Sequence, residues 1–154
     1  MQARLSDFFK KDFCSLDLKA ATKEGAIREI AALLSKSGKL KDNERFVSDL
    51  LGKWRHNPGC FDKKTAIAHS LSESVDGLVA GFGRSKNGID FNAPDCEKAN
   101  LVFLIGANPR DLDIYLVMLA KLSKLLSEEF FRRELSSAVT HSEIISIIKR
   151  FEVR

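Results

Sequence analysis

Three histidines, three cysteines and a scatter of lysines and arginines carry the chemistry open to this chain. His69 ends a short, β-leaning apolar stretch, Thr65-Ala66-Ile67-Ala68-His69, and Ser70-Leu71-Ser72-Glu73-Ser74 follows with the composition of a loop. A histidine at a strand end is held by the scaffold yet reachable from solvent, where a nucleophile or proton shuttle can sit. A neutral imidazole is a good nucleophile near pH 7, so such a residue can accept a group and pass it on. If the group is phosphoryl, its oxygens need cations or backbone N–H groups around them. Lys53, Arg55, Lys63 and Lys64 lie within sixteen residues upstream and are the candidates. The same residues also fit a plainer reading, a half-buried histidine with no task beside a solvated basic loop. Spacing leaves both readings open.

The remaining groups narrow the chemistry. His56 ends a helix beside Lys53 and Arg55, and His141 starts the last helix as a solvated first-turn residue. No histidine stands four residues from another or from a cysteine, so no metal site is expected. Cys14, Cys60 and Cys96 are far apart and odd in number, which argues against a disulfide framework and fits a reducing cytoplasm. Cys60 follows a turn near Lys63 and Lys64, which would lower a thiol pKa, although an inert thiol is the simpler reading. Neither Gly-x-Gly-x-x-Gly, nor a P-loop, nor Gly-x-Ser-x-Gly occurs, so no nucleotide cofactor and no serine nucleophile are expected.

Length and composition set the frame for these groups. The 154 residues fit one domain over 1–154, with 44% hydrophobic and 30% charged residues as in an ordinary soluble globule. The 25 basic residues exceed the 21 acidic ones, but they are spread along the chain with no run of five like charges. Such a surface steers acidic partners and lacks the basic stripe of a nucleic-acid binder. The start of the chain has no apolar stretch of signal-peptide length, and Leu101–Ile105 is far too short to span a bilayer. No membrane insertion is expected.

The elements that must position His69 follow from periodicity. Residues 3–9 suit a short lead-in helix, and Asp12 to Leu18 a first strand. Thr22 is an N-cap for a helix with Ala26, Ile27, Ile30, Ala31, Leu33 and Leu34 on one face, closed by Gly38. A second helix starts near Asp42 and ends before Asn57-Pro58-Gly59. The middle third changes period: strands at Thr65–His69 and Leu78–Gly83, a turn at Asn87-Gly88, an extended piece at Ile89–Phe91, and a bend at Ala93–Asp95. Leu101–Ile105 is apolar on both faces, as a central strand covered on both sides would be. A long helix from Ile114 to Leu126 comes next, then one N-capped at Ser127-Glu128-Glu129 that buries Phe130, Phe131 and Leu135. Thr140-x-x-Glu143 forms a capping box for the final amphipathic helix. The pattern predicts a three-layer α/β domain, a small mixed β-sheet flanked by helices on both faces.

Over nearly its whole length the chain resembles the type-2 enzyme IIA domains of the bacterial phosphoenolpyruvate-dependent phosphotransferase system, the fructose, mannitol and nitrogen-regulatory class. Residues 3–38 look like that family's opening strand and helix; Ile89–Asp95 with Asn100–Ile105 look like its later sheet, and Leu119–Leu126 with the Phe-Arg-Arg-Glu-Leu run like its C-terminal helices. The family's signature is a Gly-rich segment leading into Ile-Ala-x-Pro-His, and Ala66-Ile67-Ala68-His69 occupies that place. The resemblance implies that His69 accepts phosphoryl from the phosphohistidine carrier HPr or a paralogue. It would then donate to a cysteine of a IIB partner, or act through a regulated target protein. It also implies Lys53 where the family has a phosphate-steadying arginine, and Tyr115 where it has a second histidine. Ala68 and Ser70 stand for the usual Pro and Gly, and Pro58–Lys64 replaces a Gly- and hydroxyl-rich run. Two further readings follow: a degenerate regulatory binding module with little or no phosphotransfer, and a sugar-transport subunit with altered pocket chemistry.

Overall fold

The computed structural model describes residues 3–56, 63–91 and 97–153, and of residues 53–56 the backbone alone. The predicted bend at Ala93–Asp95 and Cys60 lie outside the described residues.

Four strands form one mixed sheet in the order β1-β3-β4-β2: β1 Cys14–Ser15, β2 Thr65–Leu71, β3 Leu78–Ile89 and β4 Ala99–Ala107. β2 runs parallel to β4, β1 parallel to β3, and β3 antiparallel to β4. Central β4 is buried on both sides, as its composition predicts. Leu101, Phe103 and Ile105 pack with α3 Leu112–Leu126, α4 Glu129–Ser137 and α5 His141–Glu152. Val102 and Leu104 face α1 Lys23–Leu34 and α2 Asn43–His56. The result is the predicted three-layer α/β domain.

Local signals explain most of the helix ends. Thr22 Oγ1 accepts from the Gly25 N–H at 3.1 Å and starts α1. Thr140 Oγ1 does the same for the Glu143 N–H at 3.1 Å, but Glu143 reaches back to the Val139 N–H, one residue earlier than a full capping box requires. The lead-in helix shrinks to a 3-10 turn, Leu5–Asp7, whose first N–H groups are capped by the Glu152 carboxylate from α5.

Several expectations are corrected. The first strand is two residues long, because Lys11–Phe13 forms a 3-10 turn instead. β2 continues past His69 to Leu71, since Ser70 and Leu71 pair with Gly106 and Ala107 of β4. Asn87-Gly88 does not reverse the chain; it lies in a bulge of β3 where register jumps from Arg84↔Leu101 to Ile89↔Ala99. Gly88 takes the left-handed φ of 81° there, and the Asn100 side chain donates to the bulge carbonyls of Ser85 and Lys86. Ser127 does not cap α4: its Oγ donates to the Lys124 carbonyl and finishes α3, and Phe130 is 58% exposed while Phe131 and Leu135 are buried.

Candidate functional site

Period-2 alternation along β2 puts Thr65, Ile67, His69 and Leu71 on one face. Ile67 belongs to the core cluster that includes Tyr115 and Met118 of α3, so His69 faces that helix. β2 and β4 are parallel, and α3 follows β4 directly through the 3-10 turn Pro109–Asp111. The C-terminal ends of the two strands and the first turn of α3 therefore meet at one edge, the usual place for a site in an open α/β sheet.

There the His69 and Tyr115 rings lie 6.3 Å apart, centroid to centroid, at 47°. His69 is half-buried, and Tyr115 is only 3% exposed. The His69 Nδ1–H donates to the Ile67 carbonyl oxygen at 3.0 Å. A carbonyl only accepts, so this contact places the ring proton on Nδ1 and the imidazole lone pair on Nε2. Burial pushes the Tyr115 phenol up to about 12, which keeps it protonated and able to donate at any physiological pH.

A polar lattice that periodicity does not reveal holds this edge. The Ser72 hydroxyl donates to Asp49 Oδ2 on α2 at 2.6 Å and lies 2.7 Å from the Ser74 hydroxyl. The Asn108 side chain donates to the Val75 carbonyl at 3.0 Å and accepts from the Arg110 N–H at 3.1 Å. The segment after β2 is thus tied to α2 on one side and to the entry of α3 on the other. The one hint in sequence was the Ser-rich stretch 70–74; its partners are too distant along the chain to be read.

The predicted cations separate. Lys53 and Arg55 lie in the last turns of α2, with their side chains outside the description; Asp49, one turn before Lys53, shows that this part of α2 meets the end of β2. Lys63 and Lys64 stand at the opposite end of β2, before Thr65. Four strand rises lead from Thr65 to His69, about 13 Å, so neither lysine belongs to the His69 edge. His141 is the exposed first residue of α5 and is remote from the site in the element order.

Comparison with known proteins supplies the context. The family described as "Phosphoenolpyruvate-dependent sugar phosphotransferase system, EIIA 2" matches residues 7–151. The fructose-specific EIIABC component of the phosphotransferase system of Bacillus subtilis (strain 168) is 31% identical over 149 residues, 97% of this chain, and the chain spans 24% of that relative's length. A fructose-specific EIIA component of Haloferax volcanii is 28% identical, with 89% of each chain covered. Among solved structures, nitrogen regulatory protein IIA-Ntr of Neisseria meningitidis superposes with a TM-score of 0.86 at 20% identity, covering 94% of this chain and 98% of that one. An Escherichia coli complex of mannitol enzyme IIA with phosphorylated enzyme IIB superposes at 0.78 and 23% identity, covering 93% and 99%. These two structures share the fold.

Proposed function

We propose, for a chain that belongs to the EIIA 2 family of the phosphoenolpyruvate-dependent sugar phosphotransferase system, that His69 is the phosphoryl acceptor. Its donor is the phosphohistidine carrier HPr or a paralogue, and its acceptor is a cysteine of a IIB partner or a regulated target that reads the phosphorylated state. The observation that carries this is the 3.0 Å contact from His69 Nδ1 to the Ile67 carbonyl. It supports Nε2 as the nucleophile.

In the forward step the Nε2 lone pair attacks phosphorus in line. The carrier's N–P bond breaks and its imidazole recovers that electron pair. Nδ1 keeps its proton and its bond to Ile67, so no base is needed. In the onward step a partner thiolate attacks phosphorus and the Nε2–P bond returns its electrons to the ring. Such transfer depends on positioning and on charge stabilisation. The neutral Tyr115 phenol donates toward the phosphoryl oxygens, and Lys53 contributes a positive charge from the end of α2.

Partner docking is supported by the surface beside Tyr115. Leu112, Leu116 and Val117 of α3 are 42%, 53% and 47% exposed. Exposed apolar side chains next to a reactive group suit a transient protein partner. The complex with phosphorylated IIB known for the mannitol relative makes a IIB domain the first partner to test.

One feature favours the second reading, a regulatory module that docks partners without transfer: Tyr115 stands where the family's second histidine is expected. Incubation with enzyme I, the carrier and labelled phosphoenolpyruvate separates the two. Acid-labile, base-stable label that His69→Ala abolishes supports the carrier, and absence of label with every carrier supports the module.

A further inference from the structure

A cleft of about 1030 Å³ opens at the end of the sheet away from His69. Lys63, Lys64, Arg84, Lys86, Arg132 and Arg133 line it, against the acids Asp17, Glu97 and Glu129, an excess of three positive charges. Glu129 is engaged with Arg133 at 3.4 Å and Asp17 with Lys19 at 2.9 Å.

Two of the cations are fixed by neutral partners. Arg84 Nη1 donates to the carbonyls of Leu135, Ser136 and Ala138 at 3.0, 3.2 and 2.7 Å, and its Nε to the Leu16 carbonyl at 3.2 Å. Arg132 Nη1 donates to the Leu126 carbonyl at 2.6 Å. Carbonyl oxygens hold a guanidinium in place without cancelling its charge, so both remain attractive to an anion. Lys63 and Lys64 add an unusual backbone, with φ of 59° and 64° in succession. Glycine or asparagine is at ease there, and lysine is strained. The Lys64 carbonyl accepts from the Asn100 and Leu101 N–H groups at 2.9 and 3.2 Å, which holds this turn and fixes where the two side chains leave the backbone.

The cations come from separate parts of the fold: the lead into β2, the bulge of β3, and α4. The cleft is open to solvent and roomy enough to admit a small molecule. We infer that this cleft binds a small molecule with two or more anionic groups, phosphoryl or carboxylate, at a site separate from His69. Six cations against three acids leave more positive charge than one anionic group neutralises.

The test is calorimetric titration of the full chain with pyrophosphate and, separately, with citrate, at an ionic strength fixed by sodium chloride. Saturable one-to-one binding of either probe is expected, and which probe binds tells phosphoryl from carboxylate. Lys64→Gly with Arg132→Gln weakens it by about tenfold or more, the scale of losing charged hydrogen bonds. His69→Ala leaves it unchanged. Lys64→Gly alone raises the thermal midpoint while weakening binding, which separates lost affinity from lost fold. Four results overturn the inference: no saturable heat with either probe; orthophosphate binding as tightly as pyrophosphate; an equal loss in the exposed control Lys36→Gln; or binding of a single-stranded oligonucleotide with neither small anion bound.

Discussion

His69 donates from Nδ1 to the carbonyl of Ile67, its neighbour two residues back on the same strand, at 3.0 Å. The strand that presents the imidazole thereby also sets its tautomer. A ring anchored by its own strand has its other nitrogen oriented in advance, which under the proposed transfer removes an orientational cost from the encounter. Tyr115, across a ring-centroid distance of 6.3 Å, limits where that ring can turn.

Tyr115 combines packing with a polar task, and two substitutions separate them. Tyr115→Ala empties a buried aromatic position and costs about 3 kcal/mol of stability by urea titration. Tyr115→Phe keeps the ring, shifts stability by less than about 1.5 kcal/mol, and slows phosphoryl acceptance about tenfold, the scale of one neutral hydrogen bond. Equal rates for Tyr115→Phe and the parent chain would remove the phenol from the proposed mechanism.

Gly106 stands beside Ser70 in the β2–β4 register, one residue from the partner of His69. A Cβ there would lie 2.3 Å from Phe46 Cε1 and 2.5 Å from Cζ, well inside contact distance. Gly106→Ala is expected to cost about 2–3 kcal/mol through overpacking. Adding Phe46→Leu should recover part of that, with a coupling of about 1 kcal/mol in a double-mutant cycle. Additive losses would show that the clash is relieved elsewhere.

Arg84 ties β3 to the end of α4 through three carbonyls and to Leu16 through a fourth. Arg84→Met leaves the part-buried carbonyls of Leu16, Leu135 and Ala138 unmatched and lowers the urea midpoint by the equivalent of about 2–3 kcal/mol. Arg84→Lys restores little, because an ammonium lacks the guanidinium fork. Full rescue by lysine would reduce the role of Arg84 to its charge.

Buried Cys14 has its thiol pushed from 9.0 to about 12 by desolvation. A pKa raised on folding means the folded state holds the proton longer. The stability it contributes is therefore complete below pH 9 and is lost as pH rises toward 12. The slope is about 1.4 kcal/mol per pH unit while the unfolded thiol is ionised and the folded one is not. Tyr115, raised from 10.0 to about 12, adds a second loss above pH 10. Thermal midpoints from pH 8 to 11 should fall accordingly, and Cys14→Ala should flatten the lower part of the fall. A midpoint constant over that range would contradict the burial argument.

Much of this fold was legible because the signals were local. The Thr22 and Thr140 caps and the two-sided apolar run of β4 each specify their own neighbourhood. The misreadings arose where a distant partner overrode local chemistry. Asn87-Gly88 has turn residues, yet Asn100 from the neighbouring strand satisfies the bulge carbonyls and lets β3 continue. Ser70 and Leu71 have loop-like neighbours, yet pairing with Gly106 and Ala107 extends the strand past His69. Lys63 and Lys64 are close to His69 in sequence, but an extended strand carries them to the opposite edge. Asp49 and Ser72 meet across 23 positions, a relationship that periodicity does not encode.

The proposed transfer turns on Nε2 of His69. The direct measurement is a long-range proton–nitrogen NMR spectrum of the uniformly nitrogen-15-labelled protein, before and after phosphorylation by enzyme I and the carrier. The expected result is that Nδ1 stays protonated and that the phosphorus–nitrogen coupling appears at Nε2 of His69. Coupling at Nδ1, or at any other histidine, would contradict it.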